Sequence, residues 1–275
     1  VKSCVLLAGL NAAGITKVQS PKSKVQSPTS RNHTEIMLKN LGAKIKETFI
    51  ADEENFTHQV SVSGNSILTA KDFYVPSDIS SAAFFVVAAA CLKNSELVIK
   101  NVGLNPTRTA CLDMLKRFGA KFEILNRTEN GGEIIGDIRV FGKNESQPES
   151  NLIEGEIIAN LIDEVPVLAV FGTQIANGLE IRNAAELRVK ESDRIAAVVE
   201  NLKRMNAAVE EFPDGLRVEK SALKGAKIES FGDHRIAMAF SIAALFAEGE
   251  TEISGAESAN VSFPEFFKIL ADITK

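Results

Sequence analysis

Four cation-bearing segments stand where helices are due to begin, and they are the part of this sequence best suited to chemistry. Arg31 and His33 precede one amphipathic stretch, Arg108 follows the Pro106-Thr107 start of another, Lys190 and Arg194 bracket Ser192-Asp193, and His234-Arg235 follow the cap-like Gly232-Asp233. A helix N-terminus already carries partial positive charge and free N–H groups, so acids normally sit there and bases at the other end. Adding Arg, Lys and His at that place suits a ligand that is an anion of two or more charges. For any one residue a salt bridge or a solvated cation is the simpler reading. Their recurrence at equivalent places is what points to a ligand.

Carboxylates lie among the same positions. Asp163-Glu164 heads a helix in the apolar setting Leu161-Ile162 and Val165-Pro166-Val167, while Glu191 lies between Lys190 and Arg194. A carboxylate beside Lys and Arg stays ionised, and one entering an apolar helix has its pKa raised by desolvation, so together they offer a base and an acid. Helix capping is the alternative role: it is preferred for Asp193, and for Asp163 it is compatible with catalysis. Cys4, Cys91 and Cys111 have no metal-like spacing and read as buried, reduced core residues, since none has an adjacent His or basic loop to make a thiolate. No metal-ligand cluster is evident.

The elements that must position these groups repeat. Each unit reads as a small-residue apolar helix, a Gly or Asn turn, a strand, a polar loop, a second amphipathic helix and another strand. The first copy runs Ser3–Gly9, Gly14, Ile15–Val18, His33–Leu41 and Lys44 onward; the second Ala82–Leu92, Asn94, Glu96–Val102, Thr107–Phe118 and Lys121–Leu125. The third runs Asp163–Phe171, Gly178, Leu179–Arg182, Ser192–Met205 and Ala207–Phe212; the fourth His234–Ala247, Gly249, Thr251–Ser254 and Phe263–Ile273. Alternating stretches at Gln59–Ile67, Asp137–Phe141 and Leu216–Lys220 read as further strands. A domain boundary is expected near Lys71–Ser77, where a strand ends in Val75-Pro76-Ser77-Asp78. The heptad Val18–Lys24 is followed by a near copy, Val25–Arg31, which reads as a lengthened surface loop and a tolerated insertion without function.

At 275 residues and a formal charge of -5, the chain has room for about two domains and lacks the basic excess of a bulk nucleic-acid binder. The longest apolar run, Ala82–Leu92, is too short to span a bilayer. A cytoplasmic setting is expected. Val1 to Leu10 reads as a helix already under way, with no initiator Met, cationic leader or cleavage site, so the sequence is expected to begin inside a domain.

The block Glu186-Leu187-Arg188-Val189-Lys190-Glu191-Ser192-Asp193-Arg194 resembles the signature of the 5-enolpyruvylshikimate-3-phosphate synthase family. Ser30-Arg31-Asn32-His33-Thr34-Glu35, Asp78-Ile79-Ser80-Ser81, Asn105-Pro106-Thr107-Arg108, Leu161-Ile162-Asp163-Glu164, Asp233-His234-Arg235-Ile236 and Ser262-Phe263-Pro264 follow the family's order. The resemblance implies an α/β (α+β) inside-out barrel of βαβαββ units in two domains, with residues 1–74 as the last unit of the first and 75–275 as a nearly complete second. It implies transfer of the enolpyruvyl group of phosphoenolpyruvate to the 5-hydroxyl of shikimate 3-phosphate, with loss of phosphate and no metal or organic cofactor. By similarity Ser30, Arg31, Asp163, Glu186 and Lys190 bind shikimate 3-phosphate, and Arg194, His234 and Arg235 bind phosphoenolpyruvate. Asp163 then takes the hydroxyl proton, and Glu191 protonates the methylene carbon and later recovers that proton.

Asn32 stands where many relatives have Asp, Val261 where some have Lys, and Glu186 where some have Asn. The family's N-terminal part, with a catalytic Lys, a further Arg and a shikimate-binding triplet, would lie before Val1. That missing segment is the one partner the resemblance implies besides the two substrates, neither nucleic acid nor membrane being expected. The intact protein is expected to be a monomer and this portion alone inactive. Two alternatives are the sibling transferase acting on UDP-N-acetylglucosamine and a non-catalytic anion-binding scaffold of the same fold.

Overall fold

The computed structural model describes residues 1–24, 30–52, 54–142 and 150–274. The first unit runs α1 (Lys2–Gly9), β1 (Ile15–Gln19), α2 (His33–Asn40), β2 (Ile45–Asp52) and β3 (Asn55–Ser63), and its sheet has the antiparallel order β1-β3-β2. The second repeats that plan with α3 (Ile79–Cys91), β4 (Glu96–Gly103), α4 (Ala110–Arg117), β5 (Lys121–Asn130) and β6 (Glu133–Phe141), in sheet order β4-β6-β5. The third adds β7 (Leu152–Ile153), α5 (Ile158–Leu161), α6 (Val165–Gly172), β8 (Leu179–Ile181), α7 (Arg194–Arg204), β9 (Val209–Phe212) and β10 (Gly215–Val218), in order β7-β8-β10-β9. Last come β11 (Lys227–Glu229), α8 (His234–Ala244), β12 (Glu252–Ser254) and α9 (Phe266–Ile273), with β11 and β12 pairing in parallel.

The turn that follows the first helix of each unit has one physical cause. Gly14, Asn94, Gly178 and Gly249 all have φ between 60° and 94°, the left-handed region that Gly enters freely and Asn tolerates. Helices α3, α6 and α8 are apolar on nearly every face and therefore cannot lie on a surface. All eight residues of α6 are buried, and the three helices pack on one another in the interior. Phe266 of α9 closes this core, its ring 5.4 Å from Phe85 and 6.0 Å from Phe84; cutting such a side chain to Ala costs about 3–5 kcal/mol.

The first unit has its own small core of Leu6, Leu38, Ala43, Val60 and Val62, separate from the large cluster built from residue 79 onward. Polar contacts join the two. Asn105 Nδ2 donates to Asn32 Oδ1 and to Glu133 Oε2, both at 2.9 Å, and His33 Nδ1 lies 2.6 Å from Glu133 Oε1.

Several boundaries differ from those the sequence suggests. Residues 65–76 form no strand; only Ser77 pairs, its N–H donating to Asn101 O and its carbonyl accepting from Gly103 N, because Pro76 has no N–H to extend the ladder. Helix α4 starts at Ala110 rather than Thr107, since the Asn105 side chain captures the Thr107 N–H and hydroxyl in a turn of its own. Cys111 is buried and Cys91 half-buried, but Cys4 is exposed, because α1 turns Leu6 and Gly9 inward and carries Cys4 on its outer face.

The heptad repeat falls partly on residues 25–29, which lie outside the described residues. Its first copy is docked. Ser23 is buried, pairs by backbone with Phe56 and gives its hydroxyl to Glu156, while Lys24 N–H donates to the same carboxylate at 3.1 Å.

Candidate active site

Helices α6, α7 and α8 begin at one place, so their first residues meet there. Asp163 precedes α6, whose first turn admits Pro166 because a helix start needs no N–H at that position. Asp193 caps α7 by accepting from Ala196 N at 3.0 Å, as expected, and Asp233 caps α8 by accepting from Arg235 N at 2.8 Å. Among the described residues Asp163 caps no helix; its carboxylate is turned instead towards cations.

Three guanidiniums surround it. Arg31 Nη2 donates to Asp163 Oδ2 at 2.5 Å, Arg194 Nη1 stands 3.5 Å from Oδ1, and Arg235 Nη2 stands 3.7 Å from Oδ2. Burial pushes the Asp163 carboxyl up, but Arg235, Arg31 and Arg194 together outweigh it and hold it below the ordinary carboxylate range. The carboxyl that burial does raise is its neighbour Glu164. There the hydrogen bond from Ser80 and the charge of Arg235 oppose burial without cancelling it. Of the Asp163-Glu164 pair, then, the second residue is the one lifted by entering the apolar helix.

Arg194 is itself only 1% exposed, so its charge is balanced at close range. Its Nε donates to Asp233 Oδ2 at 2.8 Å and its Nη2 to Glu191 Oε2 at 2.6 Å. One guanidinium therefore stands between the carboxylates of Asp163 and Glu191. Burial pushes the Asp233 carboxyl up, and the bond and charge of Arg194 pull it below its ordinary value. His234 is pushed down by burial and then by Arg235, against the opposing pull of Asp233, which favours a neutral ring. Two buried N–H groups of this cluster have no hydrogen-bond partner among the described residues, Arg194 Nη1 and Arg235 Nε.

The geometry thus joins Arg31, Asp163, Glu191, Arg194 and Arg235 and keeps His234 beside them. Lys190 pairs with Glu186 instead, whereas the ion pairs of Asp163 are with Arg31, Arg194 and Arg235. Ser30 lies on the wall of a cavity of about 690 Å³ with Lys2, Ser23, His58 and Asn160. Three residues of the constellation receive no site role from sequence reasoning, Ser80, Asp233 and Ser192, and Glu164 enters it only as the neighbour of Asp163. Ser80 gives its hydroxyl to Glu164 and accepts from Arg108 Nη2 at 2.6 Å, and Ser192 donates to Asp233 at 3.1 Å. Their sequence signal is cap-like, which hides a second use. Among the described residues no group of three or more His, Cys, Asp or Glu side chains is placed to hold a metal ion, and no helix is long and apolar enough to cross a membrane.

Residues 1–270 match the family model of EPSP synthase (3-phosphoshikimate 1-carboxyvinyltransferase). The chain belongs to the EPSP synthase family. It is 48% identical over its whole length to the 3-phosphoshikimate 1-carboxyvinyltransferase of Solibacter usitatus (strain Ellin6076), covering 61% of that protein. An EPSP synthase structure from Acinetobacter baumannii superposes with a TM-score of 0.84 at 36% identity, over 98% of this chain and 58% of that one. The chain thus spans about three fifths of the length of these EPSP synthases. The enolpyruvyl transferase NikO from Streptomyces tendae shares the fold, with a TM-score of 0.72 at 17% identity. The architecture is the two-domain enolpyruvate transferase fold, with helices inside and sheets outside.

Proposed function

We propose that this chain is the larger portion of an enzyme that transfers the enolpyruvyl group of phosphoenolpyruvate to the 5-hydroxyl of shikimate 3-phosphate. The observation that carries the reading is the pair of guanidiniums of buried Arg194 and half-buried Arg235, each with a buried N–H free of a hydrogen-bond partner and both beside one ionised carboxylate. Buried donors are left open when a ligand completes them. Phosphoenolpyruvate carries a phosphate and a carboxylate, so it can engage both.

Asp163, held ionised, accepts the 5-hydroxyl proton as the oxygen attacks the central carbon of phosphoenolpyruvate. The alkene electrons take a proton from Glu191. In the second half the carbon–phosphate oxygen bond breaks, Glu191 recovers the methyl proton, the alkene re-forms and phosphate leaves with the proton held by Asp163. Arg194 and Arg235 balance the charge on phosphate and carboxylate throughout. Ser30, Arg31, Glu186 and Lys190 are assigned to shikimate 3-phosphate and His234 to phosphoenolpyruvate. No cofactor is called for.

In this reading residues 1–74 end the first domain and 75–275 form most of the second, a division supported by the two separate core clusters. The remaining two fifths of the family length complete the site, and a cytoplasmic, monomeric enzyme follows. The test joins this chain to the N-terminal portion of the Solibacter usitatus relative and follows phosphate release from the two substrates. Release that needs shikimate 3-phosphate and ignores UDP-N-acetylglucosamine supports the reading. Binding of shikimate 3-phosphate without release would make the protein a scaffold.

A further inference from the structure

Glu164 is a buried carboxyl with no part in the reaction above, yet it is tied into the same constellation. It follows Asp163 directly, and the guanidinium of Arg235 lies between the two, with Nη2 3.7 Å from Asp163 Oδ2 and Nη1 4.0 Å from Glu164 Oε1. Neither separation is a hydrogen bond. The same oxygen, Oε1, accepts the Ser80 hydroxyl, which is anchored by Arg108, itself 3.0 Å from Asp78 at the cap of α3. We infer that Glu164 is a positioning residue: held by Ser80, it keeps Arg235 suspended between two carboxyls, so that the guanidinium does not collapse onto Asp163.

The balance of forces favours this arrangement. An ionised Asp163 draws Arg235 by charge, and with no counter-attraction the guanidinium would close to a bidentate pair, which is the strongest geometry open to it. That pair would cover the base and use up the cation together. A neutral carboxyl at Glu164 adds a dipole on the far side without cancelling the charge of Arg235, and the upward push of burial on Glu164 fits that form. The charged and titratable groups facing Glu164 are Asp163 on its own segment, Arg235 from α8, Arg108 ahead of α4 and the Cys111 thiol of α4. Once Glu164 ionises, Arg235 is drawn to it and partly neutralised, so anion binding weakens as pH rises through that step.

The inference rests on the reading of Arg235 as an anion ligand, and its test has one arm that does not. In crystal structures of this chain carrying Glu164→Ala, Arg235 should move from 3.7 Å to hydrogen-bonding distance of Asp163, whereas Glu164→Gln should leave it in place. An unmoved Arg235 in Glu164→Ala overturns the inference whether or not any substrate binds. If that variant does not fold, Ser80→Ala, which removes the hydroxyl that anchors Glu164 Oε1, should displace Arg235 from its present separations, and an unmoved guanidinium there overturns the inference equally. The second arm titrates phosphoenolpyruvate by calorimetry: Glu164→Ala should lose about tenfold in affinity, the scale of one charge-assisted hydrogen bond. Glu164→Gln should keep the affinity and lose its decline with rising pH. Equal losses in both variants, or an unchanged pH profile in Glu164→Gln, would reduce Glu164 to core packing. Absence of phosphoenolpyruvate binding by the unsubstituted chain would strike at the anion-site reading and leave the position of Arg235 to decide this one.

Discussion

Arg194 and Asp233 form an ion pair from which water is excluded: Nε lies 2.8 Å from Oδ2, and the side chains are 1% and 0% exposed. Removing one member of such a pair strands the other. Asp233→Ala should therefore destabilise the chain by about 3–5 kcal/mol in urea denaturation. Asp233→Asn should cost less, because an amide oxygen still caps Arg235 N. A loss below about 1 kcal/mol for the Ala variant would show that Arg194 finds another counter-charge.

The same cluster sets an acid limit. Asp163 and Asp233 both sit below their ordinary pKa in the folded chain, so each contributes stability that is present above the unfolded value, about pH 4, and lost as pH falls through the folded value. Glu164 has the opposite sign. Its raised value gives stability that is full below the unfolded pKa and lost as pH rises through the folded one. Thermal unfolding from pH 2 to 8 should show both slopes, with Glu164→Gln removing only the upper one.

Asp163→Ala in the protein of full family length should lower turnover by about 10²–10⁴ while affinity for shikimate 3-phosphate falls far less, as for a general base. Comparable losses in the two quantities would make Asp163 a binding residue.

Two glycines at equivalent turns should respond unequally to Ala. A Cβ at Gly178 would stand 1.9 Å from Val218 O, besides the cost of φ +65°, whereas one at Gly249, φ +94°, meets nothing within 4 Å. Gly249→Ala should cost about 1 kcal/mol for backbone strain alone. Gly178→Ala should cost more than twice that, since β10 has to move; equal losses would mean that backbone conformation is the whole of the effect.

Glu156 holds the first copy of the heptad through Ser23 and Lys24. Glu156→Ala should speed trypsin cleavage after Lys24 without altering cleavage elsewhere. An unchanged rate would mean that the backbone pairing of Ser23 with Phe56 protects the segment by itself.

Much of this architecture is legible in the sequence because local chemistry dictates it. Gly14, Asn94, Gly178 and Gly249 announce turns that need positive φ, and the apolar runs of α3, α6 and α8 announce helices with no wet face. The cations at the helix starts announce the site. What escapes is whatever depends on a distant partner. Ser80 and Glu164 are 84 residues apart in the chain and meet only because two buried helices begin together. Without that packing, no rule separates an Asp163 pulled down by three guanidiniums from a Glu164 pushed up by burial. Cys4 fails for a related reason: an apolar helix pattern does not say which side of α1 lies inward.

The doubled heptad has a consequence for how this chain accommodates added length. Lys24 and Arg31 hold corresponding places in the two copies, seven residues apart, and the carboxylates they reach, Glu156 and Asp163, are also seven apart. An insertion ordinarily adds slack, which loosens whatever lies beyond it. Here both copies are moored, the Ser23 hydroxyl and the Lys24 backbone N–H to Glu156 and the Arg31 guanidinium to Asp163, so the doubled segment is fastened at two cleats rather than one.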